Sequence, residues 1–384
     1  MSDLSDLQRW CDREAAWLRD RVETFVRLES PSDDKAAADR CGREIAATLA
    51  QLAARVTVIP NRERGDHVRA EIDGAGPQVL VLGHFDTVWK VGQIDRMPLR
   101  EDARRLYGPG IFDMKAGLAV ALQALRALQA LPAIPGPRVV MLWTADEEVG
   151  SGTARHLIEA EARRSRAVLV MEPCLPGGAA KTSRKSVGEF EVIVRGVAAH
   201  AGLDPGKGAS AIHELAYQIL AVSRLQDPGR GITINAGLVS GGTRPNVTAA
   251  EARASVDVRA VTIADARHIE TSIRSLRPVD SRTTLEVAGG FERPPLERSA
   301  AGIRLYQMAR DVAANLQRDL AEGAAGGGSD GNFTAALGVP TLDGLGPEGG
   351  GAHALDEHVV VSDLPFRAAL LAGLLGRLAL HIDG

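Results

Sequence analysis

Three short, largely apolar runs place the tightest limit on the fold of this 384-residue chain. They are Gln78–Leu82, Arg138–Trp143 and Ala167–Met171, and polar residues follow each of them closely. Runs of this kind are typical of strands that are buried on both faces. Helical patterns separate them, including Met114–Leu131, which is rich in Ala and Leu. The alternation of buried strands and helices predicts an α/β fold with a mostly parallel sheet.

The pattern changes near Ser186 and resumes its α/β character near Pro294, closing with a helix over Leu364–His381. Between these points the chain predicts strands and helices in the order βαββαβ: Glu189–Val194, Ala209–Leu225, Gly231–Leu238, Ala250–Arg259, Ala264–Leu276 and Thr283–Val287. This order is that of ferredoxin-like domains. We therefore expect a catalytic domain made of residues 1–185 and 293–384, with an inserted domain at 186–292.

Composition narrows the class of function. The net charge is −4 and no basic block is present, which argues against nucleic acid as the main partner. No segment approaches the roughly 18 consecutive apolar residues of a membrane span, and the first residues lack the pattern of a secretory signal. Cys11, Cys41 and Cys174 are scattered and form no thiolate metal motif. These features predict a cytoplasmic protein with reduced thiols.

Polar candidates cluster at the ends of the predicted strands. They are His84, Asp86, Asp113, Glu147, Glu148 and Glu172. Ligands of open α/β sheets bind at the carboxyl ends of the strands, so we expect these side chains to converge on one edge. In an extended chain His84 and Asp86 point to the same side. Asp86 is therefore expected to bond the second ring nitrogen of His84 and to fix its tautomer.

Five residues are candidate metal ligands: His84, Asp113, Glu148, Glu172 and His353. Imidazole and carboxylate together suit zinc, cobalt or manganese better than magnesium or calcium. Asp113, flanked by permissive glycines, is the natural bridge between two ions. Glu147 stands beside Glu148, so one can bind metal while the other acts as general base. His358 competes with His353, but the Gly-rich loop before His353 and the glutamate four residues after it favour His353.

Six motifs in one order resemble the M20 family of di-zinc metallopeptidases: GHFDTV, GIFDMKAG, TADEEVGS, MEP, HAG and GAHALDE. The subgroup is similar to glutamate carboxypeptidase and its relatives, the N-acyl-amino-acid deacylases, and the match runs from about Val79. The resemblance implies one zinc ion bound by His84, Asp113 and Glu172, and a second bound by Asp113, Glu148 and His353. It also implies that Glu147 is the general base, that Asp86 supports His84, and that the Asp113–Met114 peptide is cis.

The resemblance assigns further roles within the insertion. His200, in AAHAG, would donate a hydrogen bond to the oxyanion, while Asn246, in RPN, and Arg259, in DVR, would bind the substrate carboxylate. It implies a homodimer formed through the inserted domain, in which His200 serves the partner's site. Without the resemblance, Arg259 reads as an ordinary charged residue of an alternating strand, and His200 as a cap of its own strand end.

With these observations the resemblance implies a hydrolase that uses two Zn²⁺ ions, with Co²⁺ or Mn²⁺ as substitutes, to cleave an amide bond next to a free carboxylate. The substrate would be a small peptide or an N-acyl amino acid. A carboxypeptidase of the glutamate carboxypeptidase type is the first expectation. An N-acyl-amino-acid deacylase and a dipeptidase remain open, and a metal-free binding protein is the alternative from another class.

Overall fold

The computed structural model of the chain describes residues 4–52, 55–134 and 136–380. Its helices are α1 (Leu4–Arg13), α2 (Ala15–Arg27), α3 (Lys35–Gln51), α4 (Gln93–Arg96), α5 (Ala116–Ala130), α6 (Arg155–Ala162), α7 (Ala211–Ser223), α8 (Ile263–Arg274), α9 (Ala300–Asn315), α10 (Gly331–Ala336) and α11 (Leu364–Leu380). His381, the predicted end of the last helix, lies outside the described residues. None of the described helices combines the length and the apolar composition that crossing a membrane requires.

Ten of the described strands lie in a six-stranded and a four-stranded sheet, and the other six form a second four-stranded sheet and one pair. The strands are β1 (Arg55–Ile59), β2 (His67–Ile72), β3 (Ala75–His84), β4 (Arg100–Glu101), β5 (Arg105–Tyr107), β6 (Pro137–Thr144), β7 (Ser165–Val170), β8 (Ala180–Arg184), β9 (Val187–Arg195), β10 (Thr233–Gly241), β11 (Glu251–Arg259), β12 (Thr284–Arg293), β13 (Glu322–Ala325), β14 (Thr341–Leu342), β15 (Gly349–Gly350) and β16 (His358–Val360).

The chain separates into two compact units. One contains the described residues up to Thr182, then Arg298–Ala325, then those from Ser329 onward. The other contains Ser183–Glu297 and Gly326–Gly328. Arg184 donates hydrogen bonds to the carbonyl oxygens of Gly327 (3.2 Å) and Gly328 (2.9 Å), which joins that short segment to the second unit.

A six-stranded sheet forms the centre of the first unit, in the order β1-β2-β6-β3-β7-β14. β6, β3, β7 and β14 run parallel, as the alternation of strands and helices predicts. β1 and β2 are antiparallel, so the sheet is mixed. The short connection at residues 60–66 explains the β1–β2 pairing, since parallel neighbours need a crossover of a dozen residues or more.

Both faces of this sheet are covered, which is why its central strands are largely apolar. Val79 and Val81 of β3 pack in the large core that includes α5 and α11. Leu80 and Leu82 point to the other face and pack with residues of α6 and α10. All four side chains are fully buried. The stretch Val339–Leu345 predicts a longer strand than β14, but only Thr341 and Leu342 pair with β7.

The second unit has the predicted βαββαβ order, β9-α7-β10-β11-α8-β12. Its strands form an antiparallel sheet in the spatial order β10-β11-β9-β12. Burial alternates along β11, where Ala252, Ala254, Val256 and Val258 belong to the core of this unit. Such alternation is typical of a sheet with helices on one face only.

Candidate metal centre

The carboxyl ends of the parallel strands carry the candidate ligands of the first unit. β3 ends at His84, β6 ends just before the turn that contains Glu147 and Glu148, and β7 ends two residues before Glu172. Parallel strands end at the same edge of a sheet, so these side chains are brought together from distant parts of the chain.

One group of ligand atoms surrounds the imidazole of His84, which is buried. Its Nε2 lies 3.3 Å from Oδ1 of Asp113 and 3.5 Å from Oε1 of Glu172. One ligand atom from each of these three residues lies within 4.8 Å of the other two. The arrangement has the size and the donor types of a metal site.

A second group shares Asp113 with the first. Nε2 of His353 lies 3.5 Å from Oδ2 of Asp113 and 3.2 Å from Oε2 of Glu148. These three ligand atoms also lie within 4.8 Å of one another. Because Asp113 presents Oδ1 to His84 and Oδ2 to His353, its carboxylate stands between the two groups, as a bridging ligand must.

Unusual backbone conformations place the ligands that no strand carries. Asp113 belongs to the turn Ile111–Lys115, which follows Gly110 (φ +70°) and leads into α5. A Cβ at Gly110 would lie 2.4 Å from Cγ2 of Thr87, so only glycine fits there. The Asp113–Met114 peptide is cis, which confirms the expectation from the resemblance. His353 has φ +60°, a left-handed conformation that follows Gly351 (φ +74°) in the Gly-rich loop.

Asp86 contacts both His84 and the turn that carries the glutamates. Nδ1 of His84 lies 3.0 Å from the main-chain oxygen of Asp86 and 3.3 Å from its carboxylate Oδ1, so both oxygens face this ring nitrogen. The carboxylate itself accepts the N–H groups of Glu147 (3.1 Å) and Glu148 (3.2 Å). It also accepts a hydrogen bond from the Ser32 hydroxyl at 2.7 Å, a contact that no sequence pattern indicated. Asp86 therefore orients the Glu147–Glu148 turn as well as the imidazole.

The electrostatics of the two groups favour a cation. Burial opposes charge on His84, but the surrounding carboxylates, first Asp113, raise its pKa well above the usual value. Asp113, and next Glu148, raise the pKa of His353 to about 10. Burial raises the pKa of Glu148 to about 7. The two imidazoles beside these carboxylates are therefore held in their charged form, and they in turn lower the pKa of Asp113 although its burial opposes this.

One buried atom tests whether the residues fit a metal ion. Nε2 of His84 forms no hydrogen bond with any described residue, although carboxylate oxygens of Asp113, Glu172 and Glu147 lie 3.3, 3.5 and 4.0 Å away. A buried polar atom usually has a partner, and a metal ion would serve as one here. The mixture of imidazole and carboxylate donors suits zinc, cobalt or manganese. The residues present therefore fit the metal centre that the sequence predicts.

Glu147 lies beside this cluster without belonging to either group of three. Its Oε2 is 4.0 Å from Nε2 of His84, and its side chain is 12% exposed. A carboxylate next to a metal centre, and reachable by water, has the position that a general base needs.

The three candidates of the inserted unit lie on its sheet and adjoining loops. His200 and Asn246 are neighbours, since the Ala201 N–H bonds the carbonyl oxygen of Asn246 at 3.0 Å, and both are exposed. Arg259 ends β11 and is half-buried. Its Nε and one Nη donate to the carboxylate of Asp257 at 2.7–3.0 Å. The guanidinium is thus already shared with an acidic neighbour, a pairing that the alternating pattern of this strand did not indicate.

Comparison with known proteins agrees with this geometry. Residues 80–377 match the model of "Peptidase family M20/M25/M40". Carboxypeptidase G2 of Pseudomonas sp. (strain RS-16) is 28% identical over 364 residues, covering 92% of this chain and 87% of that protein. Acetylornithine deacetylase of Myxococcus xanthus is 32% identical over 327 residues, covering 78% of this chain and 80% of that protein.

The crystal structure of aminopeptidase PepT from Bacillus cereus ATCC 10987 has a similar fold. The TM-score is 0.77 with 22% sequence identity, and the match covers 95% of this chain and 99% of that one. The family match spans both compact units and every candidate ligand. The chain therefore belongs to peptidase family M20/M25/M40 and is an enzyme, a hydrolase of that family.

Proposed function

We propose that this hydrolase is a carboxypeptidase of the glutamate carboxypeptidase type that uses two zinc ions. It would cleave the amide bond next to a free carboxylate in a small peptide or an N-acyl amino acid. One observation carries the proposal: two ligand groups share Asp113, and Glu147 lies beside them. The similarity to carboxypeptidase G2 along most of the chain favours this subtype. Cobalt or manganese would substitute for zinc because they accept the same donors.

Each residue of the candidate site would have its own role in this reaction. His84, Asp113 and Glu172 would bind one ion, and Asp113, Glu148 and His353 the other. Bound zinc would supply Lewis-acid polarisation of the attacking water and the scissile carbonyl. Glu147 would accept the proton of that water and return it to the leaving amine. Asp86 would keep Glu147 in place through its hydrogen bond to the Glu147 N–H.

His200 has the tautomer that an oxyanion donor needs. Its Nδ1 accepts the N–H groups of Gly202 (3.2 Å) and Leu203 (3.1 Å). In a neutral imidazole whose Nδ1 is an acceptor, the proton is on Nε2. His200 would therefore present an N–H group from an exposed side chain, which supports its role as the donor to the tetrahedral oxyanion.

A homodimer formed through the inserted unit is part of the proposal. β10 is an edge strand of its sheet, and it exposes Leu238 (71%) and Val239 (62%). α7, which packs on the same sheet, exposes Tyr217 and Leu220. A long edge strand with exposed apolar side chains is a surface that proteins usually cover. A second copy of the chain, related by C2 symmetry, would cover it and bring each His200 to its partner's metal centre.

Subunit mixing tests whether His200 acts on the partner's site. We expect Glu147→Ala and His200→Ala to be inactive separately. If His200 acts in trans, a mixed dimer has one site that lacks both groups and one that lacks neither. Random exchange should then restore roughly a quarter of wild-type activity, because half the dimers are mixed. Activity that stays at the level of the separate variants, with exchange verified by differently tagged subunits, would place His200 in its own chain's site.

Arg259 is proposed to bind the free carboxylate of the substrate, with Asn246 beside the same carboxylate. Its planar guanidinium suits this task. Arg259→Ala should lower kcat/KM for a free-acid substrate roughly 10- to 150-fold, which corresponds to a loss of about 1.5–3 kcal/mol in the binding of its carboxylate. The variant and the wild type should cleave the same substrate equally fast when its free carboxylate is converted to an amide.

Arg253 provides the control, because it lies on the same strand and also pairs with acidic neighbours, Glu251 and Glu191. Arg253→Ala should leave both substrates unaffected. An equal loss on the free acid and the amide in Arg259→Ala would mean that Arg259 does not read the carboxylate.

The proposed subtype is tested with a matched panel of substrates in the presence of zinc or cobalt. Acidic and basic C-terminal residues are compared, each with a blocked or an unblocked amino end. A carboxypeptidase of the proposed type should prefer a C-terminal glutamate and tolerate a blocked amino end. Preference for unblocked dipeptides would indicate a dipeptidase instead.

A deacylase of N-acyl amino acids is the second candidate. The observation that favours it is the 32% identity to acetylornithine deacetylase. Faster cleavage of short acyl groups from a basic amino acid would indicate a deacylase.

The cytoplasmic location expected from the sequence stays a prediction. The three cysteines on which it rests, Cys11, Cys41 and Cys174, are buried free thiols.

A further inference from the structure

Glu357 is a fully buried acidic residue that belongs to neither ligand group. Its Oε1 accepts the N–H groups of Phe112 (2.9 Å) and Asp113 (3.1 Å). Its Oε2 accepts the N–H of Gly110 (2.9 Å) and the indole Nε1–H of Trp89 (2.7 Å). Burying a carboxylate is costly unless hydrogen bonds compensate it, and here four donors do so.

These donors come from the segments that carry the candidate ligands. Trp89 lies five residues after His84, and Glu357 lies four residues after His353. The other donors form the turn that contains Asp113. One carboxylate therefore connects three stretches of chain that are distant in sequence, and each stretch carries a ligand.

The backbone reinforces this connection. β5 and β16 pair in antiparallel register just before Gly108 and just after Glu357. The Gly108 N–H donates to the main-chain oxygen of Glu357 at 3.2 Å. The Glu357 N–H donates to the main-chain oxygen of Ala354 at 3.1 Å. The glutamate is thus fixed by its own backbone, while its side chain reaches the turn that contains Asp113.

We infer that Glu357 is a positioning residue of the metal centre, which fixes the backbone of the bridging Asp113 relative to His353 and the segment after His84. Both of its oxygens already accept two N–H groups, so it acts through Asp113 and not as a ligand. The inference rests on the proposed metal centre and assigns to Glu357 the alignment of the shared carboxylate with both ligand groups. Hydrogen-bonding partners of ligands commonly change metal affinity by 10- to 100-fold.

Glu357→Gln is the sharpest test. The amide has the same shape, but its NH₂ group would face two N–H donors in either orientation, so two hydrogen bonds are lost whichever way it turns. We expect the dissociation constant of at least one bound zinc ion, measured by competition with a chelator, to rise about 10- to 100-fold. Trp89→Phe removes one donor only, and we expect a smaller rise of several-fold.

Glu214 offers a matched control. It is also buried and accepts the backbone N–H groups of Val279 (3.0 Å) and Asp280 (2.8 Å), but these lie in the inserted unit. Glu214→Gln should lower thermal stability as Glu357→Gln does, with zinc affinity unchanged. This separates positioning of the ligands from a general loss of stability.

The outcomes distinguish the inference from the proposed function. If wild type binds two zinc ions and Glu357→Gln binds them equally tightly, the inference is wrong and the metal centre stands. If Glu357→Gln does not fold, unchanged affinity in Trp89→Phe overturns the inference in the same way. If Glu214→Gln loses zinc affinity to the same extent, the loss in Glu357→Gln reflects lower protein stability, and the inference is wrong. Wild-type protein that binds no zinc would overturn the metal centre and this inference together.

Discussion

Asp113→Ala is expected to reduce the binding of both metal ions and to lower kcat/KM by a factor on the order of a thousand or more. The reason is that Asp113 faces both groups, with Oδ1 3.3 Å from His84 and Oδ2 3.5 Å from His353. Lewis-acid activation by bound metal is worth several kcal/mol, and each 1.4 kcal/mol is a tenfold change in rate. Metal content after dialysis, measured by elemental analysis, checks the first part, and steady-state kinetics the second.

A carboxylate of similar exposure serves as control. Asp39 is 17% exposed, compared with 20% for Asp113, and it pairs with Lys35 away from the cluster. Asp39→Ala should keep wild-type metal content and rate. Wild-type stoichiometry in Asp113→Ala would rule out the bridging role. Loss of one ion with the other retained would mean that Asp113 serves a single site.

Glu147→Gln is expected to keep both metal ions and to lower kcat by roughly 10²- to 10⁴-fold, the usual contribution of general acid–base catalysis. Glu147 lies outside both ligand groups, although its Oε2 is only 4.0 Å from Nε2 of His84. The amide cannot accept the proton of the attacking water, so the chemical step fails while the metal ligands stay intact. Metal analysis and kcat on the same preparation check both parts.

The neighbouring residue provides the comparison. Glu148 lies 3.2 Å from His353 and belongs to the second ligand group. Glu148→Gln should therefore lose affinity for one ion and keep the ion bound by His84, Asp113 and Glu172. The opposite pattern, with metal lost in Glu147→Gln and kept in Glu148→Gln, would show that the two roles are exchanged.

Much of the ligand set followed from local sequence. The apolar runs of β3, β6 and β7 identified buried strands, and parallel strands necessarily end at one edge. This argument alone brought His84, Glu148 and Glu172 together. Asp113 and His353 lie in Gly-rich turns, where glycine permits conformations such as φ +70° at Gly110. Asp113 was expected at the same edge, whereas the convergence of His353 followed from motif order alone, because turn geometry has no periodic signal.

The sequence was less informative where short strands pair at long range. β4, β5, β15 and β16 contain two or three residues each and form one sheet that no pattern predicted. Strands this short show too little alternation to be recognised. Their pairing depends on where the chain returns, and this sheet fixes Glu357.

The sequence by itself determined the α/β class, the βαββαβ insertion and most of the candidate metal ligands, because burial periodicity and residue chemistry are local properties. Tertiary structure alone decided how those residues are supported. Glu357 accepts a hydrogen bond from Gly110, 247 positions away in the sequence, and Asp86 accepts one from Ser32, 54 positions away. Arg259 donates a hydrogen bond to Asp257 only two positions away, but this contact depends on the side-chain conformation of Arg259, which the sequence does not specify. Hydrogen bonds of these kinds depend on distance and angle in the folded chain, and spacing along the sequence carries neither.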